Sequence, residues 1–575
     1  MTRSLLCSSL EHAPSRWAAL AMAAAFLGFC SVPRAALACG CFAQTDPSVP
    51  VVQAGERIAF AQRGNQVEMH VQVRWAGEPE EFGWLLPVPE DPELSLGSDA
   101  FFQGLVASTQ PRFLLNQQTE DGCSFPTNSG GFACADGDDS AAFGSGGGDR
   151  FDPTGAVIRQ ERVGPYDATI LDASNREEML AWLDVNEMFV EDDPSRSALE
   201  PYLGAGRRFL ALKLAPDSVR GDIQPIVLRF EAAAPSIPIQ LTRVGAEPDM
   251  PVLVWVFGPH RAIPRNYRHT LVNLEHLNWF APGSNYNQLV TRAVDEAPDA
   301  HAFVTEFAGS TQTINEGWRR PVSMAGPDDF DDVDSARRLV EGLEARNFDL
   351  NDPVLLAILR RHVPYPRELF DRGITAEAFY SGLGTQVYAA DPIEVNGSAA
   401  GTEIWTRIVE PERNAAGLVK DFPVVTRMYT TMSPFEMTED PMFGFNPDLA
   451  WIDNERAATM TFVCNDAGEV DRSGWLELPD GRRFFTSNGL WSARPRPGVP
   501  FSRQIQALGL EGAPRIERDN TDLLSPSDPP SAGPLNEGGC RATSASSLLG
   551  WLLIFGAAAL GRRVGRRQNA SPKYG

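Results

Sequence analysis

One stretch near the N-terminal end constrains the fold more than any other. Residues 67–73 alternate strictly between apolar side chains (Val, Met, Val, Val) and the polar Glu68, His70 and Gln72. Successive side chains of a β-strand point to opposite faces, so this period of two predicts a half-buried strand with His70 on its solvent-facing side. The turn sequence at 63–65, Arg-Gly-Asn, predicts a hairpin to a preceding strand around Ile58. The chain must therefore build a sheet that buries one face.

Other segments extend this pattern along the chain. Apolar runs predict strands at 82–89, 168–171, 209–214, 223–230 and 252–257. Ser174 is predicted to cap a helix whose buried face holds Met179, Trp182 and Leu183. Short helices are predicted over roughly 285–385, one of them with an apolar stripe at Ala336, Leu339, Val340 and Leu343, and the pattern turns β-rich again over about 404–491.

The fold class that these patterns predict is α+β. The chain is expected to form β-rich, sandwich-like sheets with a central group of short helices, plus an N-terminal signal peptide and a C-terminal transmembrane helix. No unit repeats at a fixed period of 20–50 residues, which argues against a propeller or a solenoid. The expected organisation is a signal peptide (1–38), a β-rich domain (39–310) with an inserted loop (112–160), a helical segment (311–385), a β-rich region (386–510), a disordered linker (511–539) and a sorting signal (540–575).

The N-terminal segment predicts export. Arginines precede an apolar run over 17–32, and Ala36-Leu37-Ala38 supplies the small residues that signal peptidase requires. Cleavage after Ala38 makes Cys39 the first mature residue. Two fates of Cys39 stay open, oxidation to a disulfide and acylation as in a lipoprotein.

The C-terminal segment has three consecutive parts after the linker. These are Gly538-Gly539-Cys540, an apolar helix over 548–561 and an arginine cluster within 562–567. The arrangement resembles the MYXO-CTERM sorting signal, and the resemblance implies processing near Cys540 by an envelope protease and delivery of the chain to the cell surface. The alternative is a plain membrane anchor whose basic end stays in the cytoplasm.

The exported body has its own family resemblance. Residues 56–92 with Gly-Trp-Leu-Leu-Pro-Val-Pro, the segment 163–167, the strands over 209–214 and 223–242, and the run Ala302-Phe303-Val304-Thr305-Glu306-Phe307-Ala308-Gly309 resemble the bacterial "domain of unknown function 2330" family. The resemblance covers roughly residues 39–310. The resemblance implies a domain built from strands and turns. The family has no established activity that the resemblance could assign to this chain.

The cysteines of the exported body favour disulfides. Cys39, Cys41, Cys123 and Cys134 are the candidates, and Cys464 is a further exported cysteine. Cys39 and Cys41 are too close in sequence to bond to each other without strain, whereas Cys123 and Cys134 can pair locally or with the N-terminal pair. A zinc site built from the four candidates is the alternative.

Catalytic and metal-binding motifs are not found. The chain has no G-x-S-x-G, P-loop or H-E-x-x-H sequence, and His260, His269 and His276 have no zinc-type spacing. The acidic runs 136–139 and 328–332 do not follow the EF-hand pattern and are expected to be solvated loops. No metal and no cofactor are therefore expected.

Net charge limits the class of partner. The chain carries −25, and removal of the +2 of residues 1–38 and the +6 of residues 541–575 leaves −33 on the exported body. Such a surface argues against nucleic acid as a partner. The expected function is binding or structural work by a surface-anchored envelope protein, and the alternative is an extracellular hydrolase with a carboxylate-based site. A deep cleft that holds a carboxylate pair would favour the hydrolase.

Overall fold

The structure is a computed structural model, and the part of the chain that it describes belongs to one compact unit, Met1–Ser527. The described residues are 41–42, 53–75, 83–89, 91–121, 156–186, 188, 197–204, 206–216, 218, 220–281, 283–314, 324–387, 393–464, 470–486 and 498–524.

The β-strands account for most of the regular structure. They are β1 (Cys41–Phe42), β2 (Gln53–Arg63), β3 (Gln66–Trp75), β4 (Gly83–Val88), β5 (Glu93–Leu96), β6 (Arg112–Thr119), β7 (Val157–Val163), β8 (Tyr166–Asp172), β9 (Arg208–Leu214), β10 (Ile226–Glu231), β11 (Met250–Gly258), β12 (Arg261–Pro264), β13 (Arg268–Val272), β14 (Ala302–Ser310), β15 (Val424–Met432), β16 (Phe443–Asn446), β17 (Glu455–Cys464), β18 (Val470–Glu477), β19 (Arg483–Thr486), β20 (Ser502–Ala507) and β21 (Arg515–Asp519).

The α-helices are short. They are α1 (Asp99–Thr109), α2 (Arg176–Val185), α3 (Ile239–Thr242), α4 (Tyr286–Asp295), α5 (Ala336–Ala345), α6 (Pro353–His362), α7 (Arg367–Asp371), α8 (Ala376–Ser381), α9 (Leu383–Gln386), α10 (Gly397–Ile404) and α11 (Glu410–Asp421). A π-helical turn, Trp405–Val409, joins α10 to α11.

A ten-stranded sheet forms the centre of the unit, in the order β21-β20-β13-β14-β15-β11-β2-β3-β10-β5. β2 runs parallel to β11, and β15 is antiparallel to both β11 and β14. β15 thus lies between two strands that precede it by more than a hundred residues. Strands from the first 310 residues and from residues 424–519 therefore share one sheet.

A five-stranded sheet, in the order β1-β4-β9-β8-β7, packs on one face of the central sheet. The core between them takes alternate side chains from both sheets, as the period of two predicts. From the central sheet come Ile58, Phe60, Val67, Met69 and Val71, and from the five-stranded sheet come Trp84, Leu86, Tyr166, Ile170 and Leu210. This two-sheet packing with helices outside it confirms the predicted β-rich α+β class.

Helix α2 covers the outer face of the five-stranded sheet. It buries Met179, Trp182 and Leu183, as predicted. Its N-cap is Asn175, whose side chain accepts a hydrogen bond from the Glu178 backbone N–H, and not the predicted Ser174. Both residue types cap well, so the sequence placed the helix correctly and its first residue one position early.

The other face of the central sheet is covered by α1, α4 and α11. His70 lies on this face and is 1% exposed, with its ring 5.6 Å from that of Phe101 in α1 and its Nε2 2.8 Å from Glu68 Oε1. The prediction that His70 faces solvent is therefore wrong. The alternation shows that the two faces of the strand differ in polarity, but it does not show that the polar face is exposed to solvent.

Helices α5 to α10 enclose a separate apolar core. The stripe on α5, Ala336, Leu339, Val340 and Leu343, is buried in it as predicted.

A buried ion network joins these helices to the turn Arg220–Asp222. Asp222 is fully buried and accepts hydrogen bonds from Arg407 Nη1 at 2.6 Å and Arg361 Nη1 at 2.9 Å, and Arg407 Nη1 also lies 3.1 Å from Glu403. Two arginines and two carboxylates balance in charge, which makes their burial tolerable.

The segment that was predicted as an inserted loop contains parts of two strands. Residues 112–160 were expected to be one inserted loop, but β6 occupies the first eight of them and β7 begins at Val157. β6 pairs in parallel with β17 in a four-stranded sheet, β19-β18-β17-β6, and its Arg112 contacts Glu455, 343 residues later. The local sequence around β6 does not indicate a partner strand so distant in the chain.

The regions near the C-terminus also differ from expectation. Within the linker predicted over 511–539, Arg515–Asp519 forms the edge strand β21, whose five residues are all exposed. Because the strand buries no side chain, its sequence has no apolar pattern from which a strand could be predicted. The β-rich region predicted over 386–510 begins with the helices α10 and α11, and its strands start only at Val424.

Most predicted processing and disulfide residues lie outside the described residues, namely Ala38, Cys39, Cys123, Cys134 and Cys540. Cys41 falls in β1. Cys464, at the end of β17, is disulfide-bonded. The predicted helix 548–561 is likewise outside the described part, within which no helix has the length and apolarity needed to cross a membrane.

Candidate functional site

A cavity of about 620 Å³ opens on the helix-covered face of the central sheet. Its floor is formed by β2, β11 and β15, and Glu306 of β14 lies at one side. Its walls are the start of β6 and the start of α4. This volume lies within the range of about 300–1,000 Å³ typical of small-molecule sites.

A β-bulge lies at Glu306, beside the cavity. Thr305 pairs with Met428 and Phe307 pairs with Arg427, so Glu306 is the extra residue between two successive pairs. Alternation after Thr305 already directs Glu306 to the face of Arg427. The bulge shifts the alternation from Phe307 onward, so Phe307 lies on the helix side as well.

Glu306 and Arg427 form a buried ion pair. Arg427 Nε lies 2.6 Å from Glu306 Oε2, and the two side chains are 8% and 2% exposed, respectively. The guanidinium carbon lies 5.4 Å from the centre of the Trp255 ring. Arg427 Nη1 is buried and has no hydrogen-bond partner among the described residues. A buried donor without an acceptor is costly. Because this nitrogen has almost no accessible surface, an acceptor in the cavity would reach it only after a neighbouring side chain shifts.

Two tyrosines adjoin the pair. The Tyr286 hydroxyl is hydrogen-bonded to Glu306, and its pKa is raised well above the usual value, mainly by burial and then by that carboxylate. Burial, with a smaller contribution from Glu306, raises the pKa of Tyr429 to about 12. Both phenols are therefore neutral at physiological pH. Arg456 fixes the backbone here, since its Nη2 donates to the Glu306 carbonyl oxygen at 2.9 Å.

Two further arginines line the cavity, and each has a polar partner. Arg57 Nη1 donates to Gln72 Oε1 at 3.2 Å. Arg112 lies at the rim and pairs with Glu455 at 2.8 Å, the side chains being 61% and 48% exposed. An exposed pair of this kind contributes little to stability.

The second glutamate of the cavity lining, Glu56, directs its carboxylate away. Along β2, Arg57 pairs with Leu253, which belongs to the helix-side core, whereas Glu56 pairs with Val252 in the core between the sheets. The Glu56 carboxylate accepts a hydrogen bond from Thr242 in α3 on that opposite face. The carboxylates of Glu56 and Glu306 are therefore separated by the sheet.

Apolar groups complete the walls. Phe113 of β6 packs against Tyr286 of α4, with ring centres 4.9 Å apart, and meets Trp279 edge-on. The amphipathic helix α4 buries Leu289, Val290, Ala293 and Val294, and this stripe orients its first residue, Tyr286, towards the sheet. The cavity thus combines an arginine-rich polar side with aromatic walls.

Of the predicted site residues, the structure describes Cys41, which is not among the residues that line this cavity. The sequence nevertheless contains a signal that points to the cavity. Glu306 is the only charged residue of the strand AFVTEFAGS, and Arg427 is the only one of VVTRMYTTM. Both strands are almost entirely buried, and a buried charge requires a partner. A lone charge in each of two buried strands therefore indicates two residues that need a partner, although not which partner. Glu306 also belongs to the family-like run at 302–309.

The histidines and the acidic run 328–332 lie elsewhere in the structure. His269 is buried, with Nδ1 3.1 Å from Gln506 Oε1, and burial lowers its pKa to about 4. His276 lies 3.3 Å from the Pro500 carbonyl oxygen, and His260 is exposed. In the run 328–332, Asp329 accepts hydrogen bonds from two backbone N–H groups and pairs with Arg346. No group of three or more His, Cys, Asp or Glu residues suited to a metal ion occurs in the described ranges.

Comparisons with known proteins identify a family without an assigned activity. No curated protein sequence matches the chain. Among solved structures, a mutated baculovirus P35 after caspase cleavage matches with 10% identity over 38% of this chain and 76% of that one, at a TM-score of 0.19, which is too low to carry an argument. A family model matches residues 33–341, more than half of the chain, and includes β14 with Glu306. The chain belongs to the DUF2330 family of uncharacterized proteins conserved in bacteria.

Proposed function

We propose that this protein is an exported, surface-anchored envelope protein that binds a small organic anion in the cavity beside Arg427. The N-terminal segment ending at Ala38 and the tail from Cys540 support export and anchoring. The family assignment adds no activity that conflicts with a binding role.

The buried guanidinium of Arg427 carries the proposal. It donates through Nε to Glu306 and keeps Nη1 without a partner inside the described protein. Planar guanidinium groups are suited to carboxylates and similar anions, because parallel N–H donors meet two oxygens. An anion in the cavity would satisfy this donor once a local side-chain shift exposes Nη1, which the protein buries.

The local charge supports the same choice. Three arginines line the cavity, and of its two glutamates only Glu306 directs a carboxylate to the helix side of the sheet. Arg427 and Arg112 are paired with Glu306 and Glu455, so the positive excess is small, but it contrasts with the net charge of −33 on the exported body. A positively lined cavity in an acidic protein favours anionic ligands over cationic ones.

The hydrolase alternative requires two carboxylates on either side of one substrate bond. Glu56 and Glu306 are the cavity glutamates, and their carboxylates extend from opposite faces of the sheet. This geometry favours binding over carboxylate-based hydrolysis.

Titration of the full-length protein with hexanoate in a calorimeter tests the proposal. Glu306→Gln removes the carboxylate that competes for Arg427, so hexanoate should bind several-fold more tightly. The double variant Glu306→Gln with Arg427→Met removes both charges and should lower the affinity at least about tenfold, the usual contribution of a charge-assisted hydrogen bond.

Arg338→Met is the matched control, because Arg338 pairs with Asp334 on an exposed helix surface. It should leave the affinity unchanged. If Glu306→Gln weakens hexanoate binding, or the double variant retains full affinity, the cavity is not an anion site of this kind.

A further inference from the structure

We infer that the natural ligand is an amphiphilic monocarboxylate, a single acid group attached to an apolar alkyl or aryl body. The inference rests on the proposed anion site and adds the number of acid groups and the nature of the remainder of the ligand.

The number of acid groups follows from the arginines. Arg57 is held by Gln72, which is hydrogen-bonded in turn to Asp99 of α1. Arg112 is held by Glu455 at the solvent-exposed rim. Among the three, Arg427 alone combines burial with a nitrogen that has no partner in the described residues. The cavity therefore provides one strong position for an acid group.

The nature of the body follows from the walls. Phe113, Leu253 and Tyr429 present carbon surface to the cavity, and Tyr286 uses its hydroxyl on Glu306. Leu253 and Tyr429 are register partners on adjacent strands, so they form a continuous apolar strip on the floor. A bare inorganic anion would fill only a small part of about 620 Å³ and leave this strip in contact with water.

The floor also orients the ligand. In register, Trp255 pairs with Arg427 and Leu253 pairs with Tyr429, two residues further along the same strands. Residues two apart on a strand lie on the same face, about 6.6 Å from each other. A chain whose carboxylate meets Arg427 therefore extends its body over Leu253 and Tyr429.

A ligand series on the full-length protein tests this assignment by calorimetry. The series is acetate, butanoate, hexanoate and 3-phenylpropanoate, with hexanol, hexylamine, adipate, hexyl sulfate and inorganic phosphate as comparisons. Affinity should rise about fourfold for each buried methylene, so hexanoate should bind at least tenfold more tightly than acetate. Hexanol and hexylamine should bind at least tenfold more weakly than hexanoate, and adipate should gain nothing over it.

A substitution in the cavity wall distinguishes binding of the apolar body of the ligand from binding of its acid group. Phe113→Ala should lower the affinity for hexanoate several-fold and leave that for acetate unchanged. Phe485→Ala removes a ring from β19, outside the cavity, and should change neither.

The other outcomes of the ligand series distinguish a wrong ligand class from a wrong anion site. If acetate or phosphate equals hexanoate and Arg427 is still required, the anion site stands and the amphiphile is wrong. Tighter binding of adipate overturns the single acid group, and tighter binding of hexyl sulfate replaces the carboxylate by a sulfate or phosphate ester. If no acid binds, or if hexylamine binds most tightly, both the proposed anion site and the proposed ligand class are wrong.

Discussion

Glu306 lies beside Arg427 at a β-bulge, between Thr305 opposite Met428 and Phe307 opposite Arg427. Alternation after Thr305 already directs Glu306 to the helix side of the sheet, and the bulge brings the next residue, Phe307, to that side as well. Two lone buried charges thus form a pair at the edge of the cavity. Bulges are over-represented next to functional sites.

Loss of the Glu306 carboxylate should reveal the cost of leaving Arg427 unpaired. Glu306→Ala is expected to lower the free energy of unfolding by about 3–5 kcal/mol, the usual effect of breaking a buried pair from one side. Glu455→Ala, which breaks the exposed pair with Arg112, should cost no more than about 1 kcal/mol. Urea denaturation of both variants measures the difference, and equal losses would contradict the burial of the Glu306 pair.

The network around Asp222 should be equally sensitive. Asp222→Asn removes a fully buried charge from between Arg361 and Arg407, and we expect a loss of about 3–5 kcal/mol. The matched control is Asp334→Asn, because Asp334 is exposed and pairs with the exposed Arg338 four residues later. Its expected loss is within about 0.5 kcal/mol. A small effect of Asp222→Asn would mean that the helices do not depend on this network.

Asp440 predicts how stability changes with pH. Burial raises its pKa to about 6, although hydrogen bonds from Tyr202 and the Gln240 backbone lower it in part. The stabilisation from a carboxyl with a raised folded-state pKa is complete below its unfolded pKa, about 4, and is lost as pH rises through about 6. Two pKa units correspond to roughly 3 kcal/mol.

Urea titrations between pH 4 and 7 test that expectation. The free energy of unfolding of Asp440→Asn should fall less over this range than that of the wild type. Asp295, whose pKa burial also raises to about 6, contributes in the same direction, so part of the slope should remain. Glu68, with its pKa lowered to about 2, acts below this window. An unchanged slope in Asp440→Asn would refute the assignment to Asp440.

The sequence predicted the parts of the fold that local patterns encode. The alternation at Val67, Met69 and Val71 and the stripe on α5 are buried as expected, because each depends only on the period of its own element. His70 was misplaced because α1, a separate element, covers its face. β6 was missed because its partner β17 lies far away in the sequence, and β21 was missed because it buries no side chain of its own.

The site itself was missed for a related reason. The floor combines β2 with β11 and β15, whose register no local pattern reveals. The lone charges Glu306 and Arg427 are visible in the sequence, but their pairing depends on the register between β14 and β15. Sequence alone therefore identifies the two charges that need a partner and not that they are each other's partners.

Peptide mapping of the unreduced protein can identify the partner of Cys464, which is disulfide-bonded. The Glu120 N–H donates to the Phe462 carbonyl oxygen, so the chain that continues from β6 runs beside the end of β17 at this point. Cys123 follows only three residues later in the sequence. We expect a peptide that links Cys123 to Cys464, and recovery of Cys464 with Cys39, Cys41 or Cys134 would contradict it.

Cys540 provides the test of anchoring and export. We predict that the tail is a sorting signal, because an arginine cluster after a short apolar segment resists translocation and would hold the chain in the membrane with Cys540 on the outer side. The sequence before Cys540 is rich in Pro, Ser and Gly, a composition typical of linkers that can present a cleavage site to a membrane protease. Mature surface protein should therefore end near Cys540 and lack Arg562–Gly575. Cys540→Ala should accumulate as an unprocessed form in the inner membrane, whereas a plain anchor predicts no change in length or location. Mass spectrometry of the C-terminal peptide from both proteins decides the question, because an intact arginine tail on surface protein rules out processing.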